Sequence, residues 1–335
     1  MKELLLCIIL IFSLTACKQS DEQLLSKLGY SEEEIALIVN LTEENKARFL
    51  EEYDEKLLKY LVASDFKETN LDEYLKYDGE FEVDFIIDKV NEGILNLSNK
   101  DKLKELYSSK FFIKDKEDLY LKYLNDYKTV RDTIEIVNTK RYLDLYSDIK
   151  PVDMSKDYLI LVNKYYQLAS DYEPDDLVAV TGVPGRGYLR QKVFEAYQQL
   201  YEEACKLGYE NLTVVSAYRP YSMQESLYNS YKASDPENVD TYSARAGHSE
   251  HQSGLCLDVS MPGYSLDDFY LTDASTWLKD HAHEFGFIIR YPEDKTDITG
   301  YQGEPWQIRY VGKDVSKEVY ELGITYDEYY ACFVE

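Results

Sequence analysis

Ser249-Glu250-His251-Gln252-Ser253-Gly254-Leu255-Cys256-Leu257-Asp258, residues 249–258, places a histidine at the entry to a strand and an aspartate on it. The strand reading comes from Leu255, Leu257 and Val259 alternating with Cys256, Asp258 and Ser260, the period of a half-buried strand. The two polar residues are seven apart and can converge on one cation, since imidazole nitrogen and carboxylate oxygen are both ordinary zinc ligands. By itself the pair is a weak signal, because His and Asp recur at any spacing. A later segment strengthens it: Gly303-Glu304-Pro305-Trp306-Gln307-Ile308-Arg309-Tyr310-Val311-Gly312.

Working outward, residues from Tyr158 onward alternate helical and strand periods. Leu159–Leu168 reads as a helical run. Val193, Tyr197, Leu200, Ala204 and Leu207 form a second, closed by Gly208 as C-cap. Leu212-Thr213-Val214-Val215 reads as a buried strand. A helix around Ser275–Phe285, a strand at Phe287–Tyr291 and a last strand at Trp306–Val311 follow. Helices on a small, mostly antiparallel sheet make an α+β domain over about 156–335. Upstream, 17–155 reads as a small all-helical region. Ser31-Glu32-Glu33-Glu34 fits a capping box, and Phe49, Tyr53, Leu57, Tyr60 and Leu61 share a helical face. A loose repeat of 46 residues shows in Phe66 before Leu75-Lys76-Tyr77 and Phe112 before Leu121-Lys122-Tyr123. This region carries no catalytic motif and reads as a spacer or docking region.

Over roughly Leu159–Glu335 the chain resembles the VanY-type D-alanyl-D-alanine carboxypeptidases, zinc peptidases that trim peptidoglycan stem peptides. The resemblance runs through Leu161-Val162-Asn163-Lys164, Tyr172-Glu173-Pro174-Asp175-Asp176-Leu177-Val178 and Ser216-Ala217-Tyr218-Arg219-Pro220-Tyr221 with Gln224. It continues in Ala246–Gly254, Ala282-His283-Glu284-Phe285-Gly286-Phe287, Arg290-Tyr291-Pro292, and Thr299-Gly300-Tyr301 leading into Glu304-Pro305-Trp306. The resemblance implies His251 and Asp258 as metal ligands and Glu304 as the general base that takes a proton from zinc-bound water. It implies Arg219 as the holder of the substrate's terminal carboxylate, a group that suits a guanidinium fork, assisted by Gln224 and Ser249. The cofactor implied is zinc, and the partners are stem peptides ending in D-Ala.

Two positions depart from the family pattern. Cys256 stands where the motif has alanine. Gln307 stands where the third ligand, a histidine, follows the Glu-x-Trp element. A neutral amide does not match imidazole in a site of three protein ligands. Three readings follow: a zinc carboxypeptidase of D,D or L,D type; a catalytically impaired or silent cell-wall peptide-binding protein; and, with little support, a helical scaffold with a merely structural C-terminal domain. If another group such as His248 fills the vacant direction, zinc could still be held. His248, His281 and His283 otherwise read as packed or surface residues, and Arg290 and Arg309 as structural partners for carboxylates.

The N-terminus and the charge bound the setting. Lys2 precedes an apolar run, Leu4–Leu14, too short for the roughly 20 residues of a spanning helix. With Leu14-Thr15-Ala16-Cys17 it forms an export signal over 1–16 that resembles a bacterial lipobox, with Cys17 lipidated. The expectation is an extracytoplasmic protein tethered to the cell membrane by that lipid. A net charge of −26 argues against binding nucleic acid. The 33 tyrosines read mostly as half-buried packing residues. Of the remaining cysteines, Cys205, Cys256 and Cys332, none has metal-type spacing and no pairing is assigned.

Overall fold

The computed structural model describes residues 19–335, so the export signal and Cys17 lie outside the described residues. The chain forms two compact units, dividing between Tyr107 and Ser108. That division falls earlier than the 155/156 boundary read from texture. Residues after 107 join the C-terminal unit because Arg131 Nη2 donates to Glu328 Oε1 at 3.1 Å and Asn138 Nδ2 lies 3.4 Å from Cys332 Sγ.

The first unit is helical. Ser31 caps the Glu32–Ile38 helix through a full capping box with Glu34. The single helix expected over Phe49–Leu61 is instead two, Glu43–Glu51 and Glu55–Leu61, because the Asp54 side chain accepts from Leu57 N and starts the second. The 46-residue repeat has a structural counterpart in each unit. Lys67 N donates to Tyr74 Oη at 3.2 Å, Tyr74 Oη to Asn91 Oδ1, and Asn91 Nδ2 to Asp65 O. In the second unit Ile113 N donates to Tyr120 Oη at 3.2 Å, Tyr120 Oη to Asn138 Oδ1, and Asn138 Nδ2 to Phe111 O. In both copies a tyrosine hydroxyl and an asparagine amide tie a short 3-10 turn to two helices.

The second unit is built on one four-stranded sheet. Its strands are β1 (Thr213–Ser216), β2 (Cys256–Ser260), β3 (Phe287–Tyr291) and β4 (Glu304–Tyr310), ordered β1-β2-β4-β3 and antiparallel throughout. The helices used below are α1 (Gln191–Lys206), α2 (Tyr221–Ser234), α3 (Asp273–His281) and α4 (Lys313–Leu322). Gly208 follows α1 at φ 88°, and the turn closes as Tyr209 N donates to Ala204 O. Helices α3 and α4 pack against β3.

Three elements differ from expectation. Residues 159–168 are not a helix. Asn163 Oδ1 accepts from the backbone of both Tyr165 and Tyr166, which turns the chain into a short strand, Tyr166–Gln167. β1 is an edge strand with Val215 47% exposed, so it is only half-buried. β2, expected to be half-buried, is buried at all five positions, as an inner strand flanked by β1 and β4.

Candidate functional site

The register of the sheet builds the site. Ser216 of β1 and Gln307 of β4 are both Cα partners of Asp258 on β2, so the three side chains share one face. Asp258 and Gln307 are each 4% exposed. Between Ile289 and Tyr291 the β3–β4 ladder slips, and Glu304 pairs with Tyr291. Such a bulge re-aims side chains from strict alternation, and here it displaces Glu304 at the mouth of β4.

His251 enters from the 3-10 turn Glu250–Ser253, which Gly254 ends in the left-handed region at φ 68°. A side chain at Gly254 would also crowd Arg190 and Leu177 at 3.1 Å. The ring lies with Nδ1 2.7 Å from the Ala217 carbonyl, which makes Nδ1 the donor, and Nε2 3.3 Å from Asp258 Oδ2. Two acceptors facing each other at that distance call for a proton or a cation between them. A carbonyl that fixes the far nitrogen is the usual support of a ligating histidine.

Arg219 follows β1 and is held at both ends of its fork. Nη2 donates to Ser216 Oγ and Nη1 to Gln224 Oε1, each at 2.8 Å, while its backbone N donates to His251 O. Gln224, on α2 and 1% exposed, is itself anchored by donating to Ala244 O at 2.6 Å. Ser249 is buried at the start of the His251 turn, where its carbonyl accepts from Gln252 N. Part of Glu304 reaches the surface, yet its carboxyl is held well above the usual range. Burial is the main cause, the charge of Asp258 adds to it, and Arg219 and Arg290 oppose it. Cys256 is buried in β2, and burial pushes its thiol up.

The fit to zinc is partial. His251 and Asp258 offer the donors a metal needs, but the third position is an amide. Among the described residues no group of three His, Cys, Asp or Glu side chains is placed to hold a metal. His248 does not fill the vacant direction: its Nδ1 lies 2.8 Å from Asn163 O and its ring meets Tyr146 edge-on. Burial lowers its pKa. His281 lies 2.8 Å from Glu284, and His283 stacks on Tyr320 at 3.9 Å, so neither joins the site. A cavity of about 610 Å³ is bordered by His283, Tyr291, Pro305 and Tyr320; it runs along β3 and does not contain the His251–Asp258 pair.

Sequence reasoning missed the support beneath the site. Glu250, the neighbour of His251, receives Arg290 Nε at 2.6 Å on one carboxylate oxygen and Arg309 on the other. Arg290 also donates to Asp327 at 2.6 Å, and Asp327 receives Asn163 at 2.8 Å. The sequence marks both arginines as partners for carboxylates but does not say which, because Asp327 lies 37 residues from Arg290 along the chain.

These features define an α+β domain with a His–Asp pair, a half-buried glutamate at the start of β4 and a carboxylate-ready arginine. A family model for VanY, D-alanyl-D-alanine carboxypeptidase, matches residues 186–313. A Bacillus subtilis protein assigned as a carboxypeptidase, YodJ, is 37% identical over 205 residues, which cover 55% of this chain and 73% of that protein. The D-alanyl-D-alanine carboxypeptidase of Enterococcus faecium is 34% identical over 181 residues, 51% of this chain and 56% of that one. The solved structure of the LdcB LD-carboxypeptidase, described in terms of peptidoglycan recognition, matches with a TM-score of 0.51 at 36% identity. That match covers 55% of this chain and 90% of that one. The chain belongs to the VanY-type D-alanyl-D-alanine carboxypeptidase family.

Proposed function

We propose that this protein captures peptidoglycan stem peptides by their D-alanine end, at a carboxypeptidase site whose hydrolytic power Gln307 curtails. The observation that carries this reading is the pairing of Asp258 with Gln307 across β2 and β4, which sets an amide beside the His–Asp pair. Arg219, braced by Ser216 and Gln224, is the group for the terminal carboxylate. Carboxypeptidase relatives and the peptidoglycan link of LdcB support the substrate class. The export signal supports a protein outside the cytoplasm, tethered through lipid on Cys17. Among the described residues no helix is long and apolar enough to cross a membrane.

Zinc, where bound, would supply a polarised water. His251 and Asp258 would hold it, and their set is one ligand short, so no hydrolytic step is derived through it. A second reading, a working carboxypeptidase, is favoured by one observation: His251 Nε2 still faces Asp258 Oδ2 at 3.3 Å, with the far ring nitrogen fixed by the Ala217 carbonyl. Metal analysis of the purified protein together with D-alanine release from a stem pentapeptide separates the two. The expected result is substoichiometric zinc, with release far slower than that of Gln307→His. One zinc per chain and release equal to that variant would sink the impaired reading.

A further inference from the structure

Two buried atoms in the site meet no hydrogen-bond partner in the protein: Asp258 Oδ1 and Gln307 Nε2. One is an acceptor and the other a donor. They belong to residues directly opposite each other on adjacent strands, and both residues are at least nine-tenths buried. Leaving a buried polar group unpaired is costly, so a matched pair of such groups marks a place built for a ligand. Asp258 Oδ2 faces His251 Nε2, which leaves Oδ1 as the free acceptor. A histidine at 307 would present a ring nitrogen to a cation. The amide nitrogen of Gln307 has no lone pair free to bind a cation, so it is a hydrogen-bond donor and not a ligand.

The ligand chemistry follows from the pair. A residue in extended conformation turns its own N–H and C=O to the same side, as each hydrogen-bonded residue of an antiparallel ladder does. Gln307 Nε2–H matches that C=O, and Asp258 Oδ1 matches that N–H. Arg219 stands ready for a carboxylate in the same site: its Nη2 donates to Ser216 Oγ, and Ser216 is the Cα partner of Asp258 on the neighbouring strand. We infer that Asp258 and Gln307 form a metal-independent clamp on the backbone of a peptide's penultimate residue. Gln307 is then a ligand-binding residue rather than a damaged zinc ligand. This rests on the reading of the site as one for D-alanine-ended peptides and adds how their backbone is read.

The test is calorimetric titration of the full-length protein with the stem pentapeptide ending in D-Ala-D-Ala, once in EDTA and once in excess zinc. Wild type is expected to bind equally under both conditions. Gln307→Leu removes the donor and strands the peptide carbonyl, weakening binding about tenfold. Gln307→Met is a second variant of similar size, so a folding failure in one leaves the other to decide. Gln307→His is expected to bind in a zinc-dependent way. Wild-type binding that needs zinc overturns the clamp. So does unchanged binding in both Gln307→Leu and Gln307→Met while Arg219→Ala loses it, which leaves peptide capture standing. No wild-type binding in either condition overturns both the clamp and the peptide reading.

Discussion

Two polar clusters lie within the same domain and differ in one respect. Around Glu250, two arginines meet two carboxylates, and all four side chains are at most 3% exposed. The spare donors are also taken: Arg309 Nη2 bonds Tyr158 O and Ile160 O, at 2.9 and 2.8 Å. Around Asp258 the burial is similar, yet a donor and an acceptor are left over. A closed network of charges specifies a shape, and its cost of desolvation is met inside the protein. An open one keeps bonding capacity for something else. The closed cluster ends on Glu250, next to His251, so its rigidity is delivered to the open one.

The comparison breaks first at Glu250. Glu250→Ala leaves two buried guanidiniums without their shared partner and is expected to destabilise by about 3–5 kcal/mol. A thermal midpoint lowered by about 10 °C or more checks it. A fall within 2 °C would mean that the network is not a structural unit. A lone buried charge sharpens the contrast. Lys164 donates to Asp240 O and lies over the Tyr301 ring at 3.5 Å. Burial pushes its pKa from 10.5 down to about 7. The unfolded chain therefore binds the extra proton between those values, so this residue's contribution to stability rises with pH through that window and is flat below it. Relative to Lys164→Met, the wild type should gain about 2–3 kcal/mol between pH 7 and pH 9, read by denaturant titration at each pH.

In the open cluster the effects move from stability to binding. Arg219→Ala should weaken binding of a peptide with a free C-terminal carboxylate by roughly 10–100-fold, in line with a lost charge-assisted pair. Binding of the C-terminal amide of the same peptide should change little, and comparing the two ligands by calorimetry checks this. The smallest effect belongs to Cys256→Ala, which restores the family's residue at a packed position. A loss of about 1 kcal/mol or less is expected, and a loss above about 3 kcal/mol would show that the thiol fills space nothing else can.

Much of this was legible in the chain itself. The alternation at 255–260 and the strands at 287–291 and 304–310 follow from period two, which needs no partner to be read. The 46-residue spacing of Phe66 and Leu75-Lys76-Tyr77 against Phe112 and Leu121-Lys122-Tyr123 is legible in the chain, but the tyrosine–asparagine hydrogen bonds that the two copies share are not. Where local pattern misled, a side chain had taken over backbone bonds: Asn163 turned an apolar run away from helix, and Asp54 cut one helix in two. In the site, the residue types and the substitution at 307 were decided by sequence alone. Only the tertiary structure decided what Gln307 faces, because strand register is a long-range choice that pairs residue 307 with 258. The same register leaves Asp258 and Gln307 each with an unpaired buried atom. Burial, which turns an unpaired atom into a demand for a ligand, is a property of the packed fold and of no local segment.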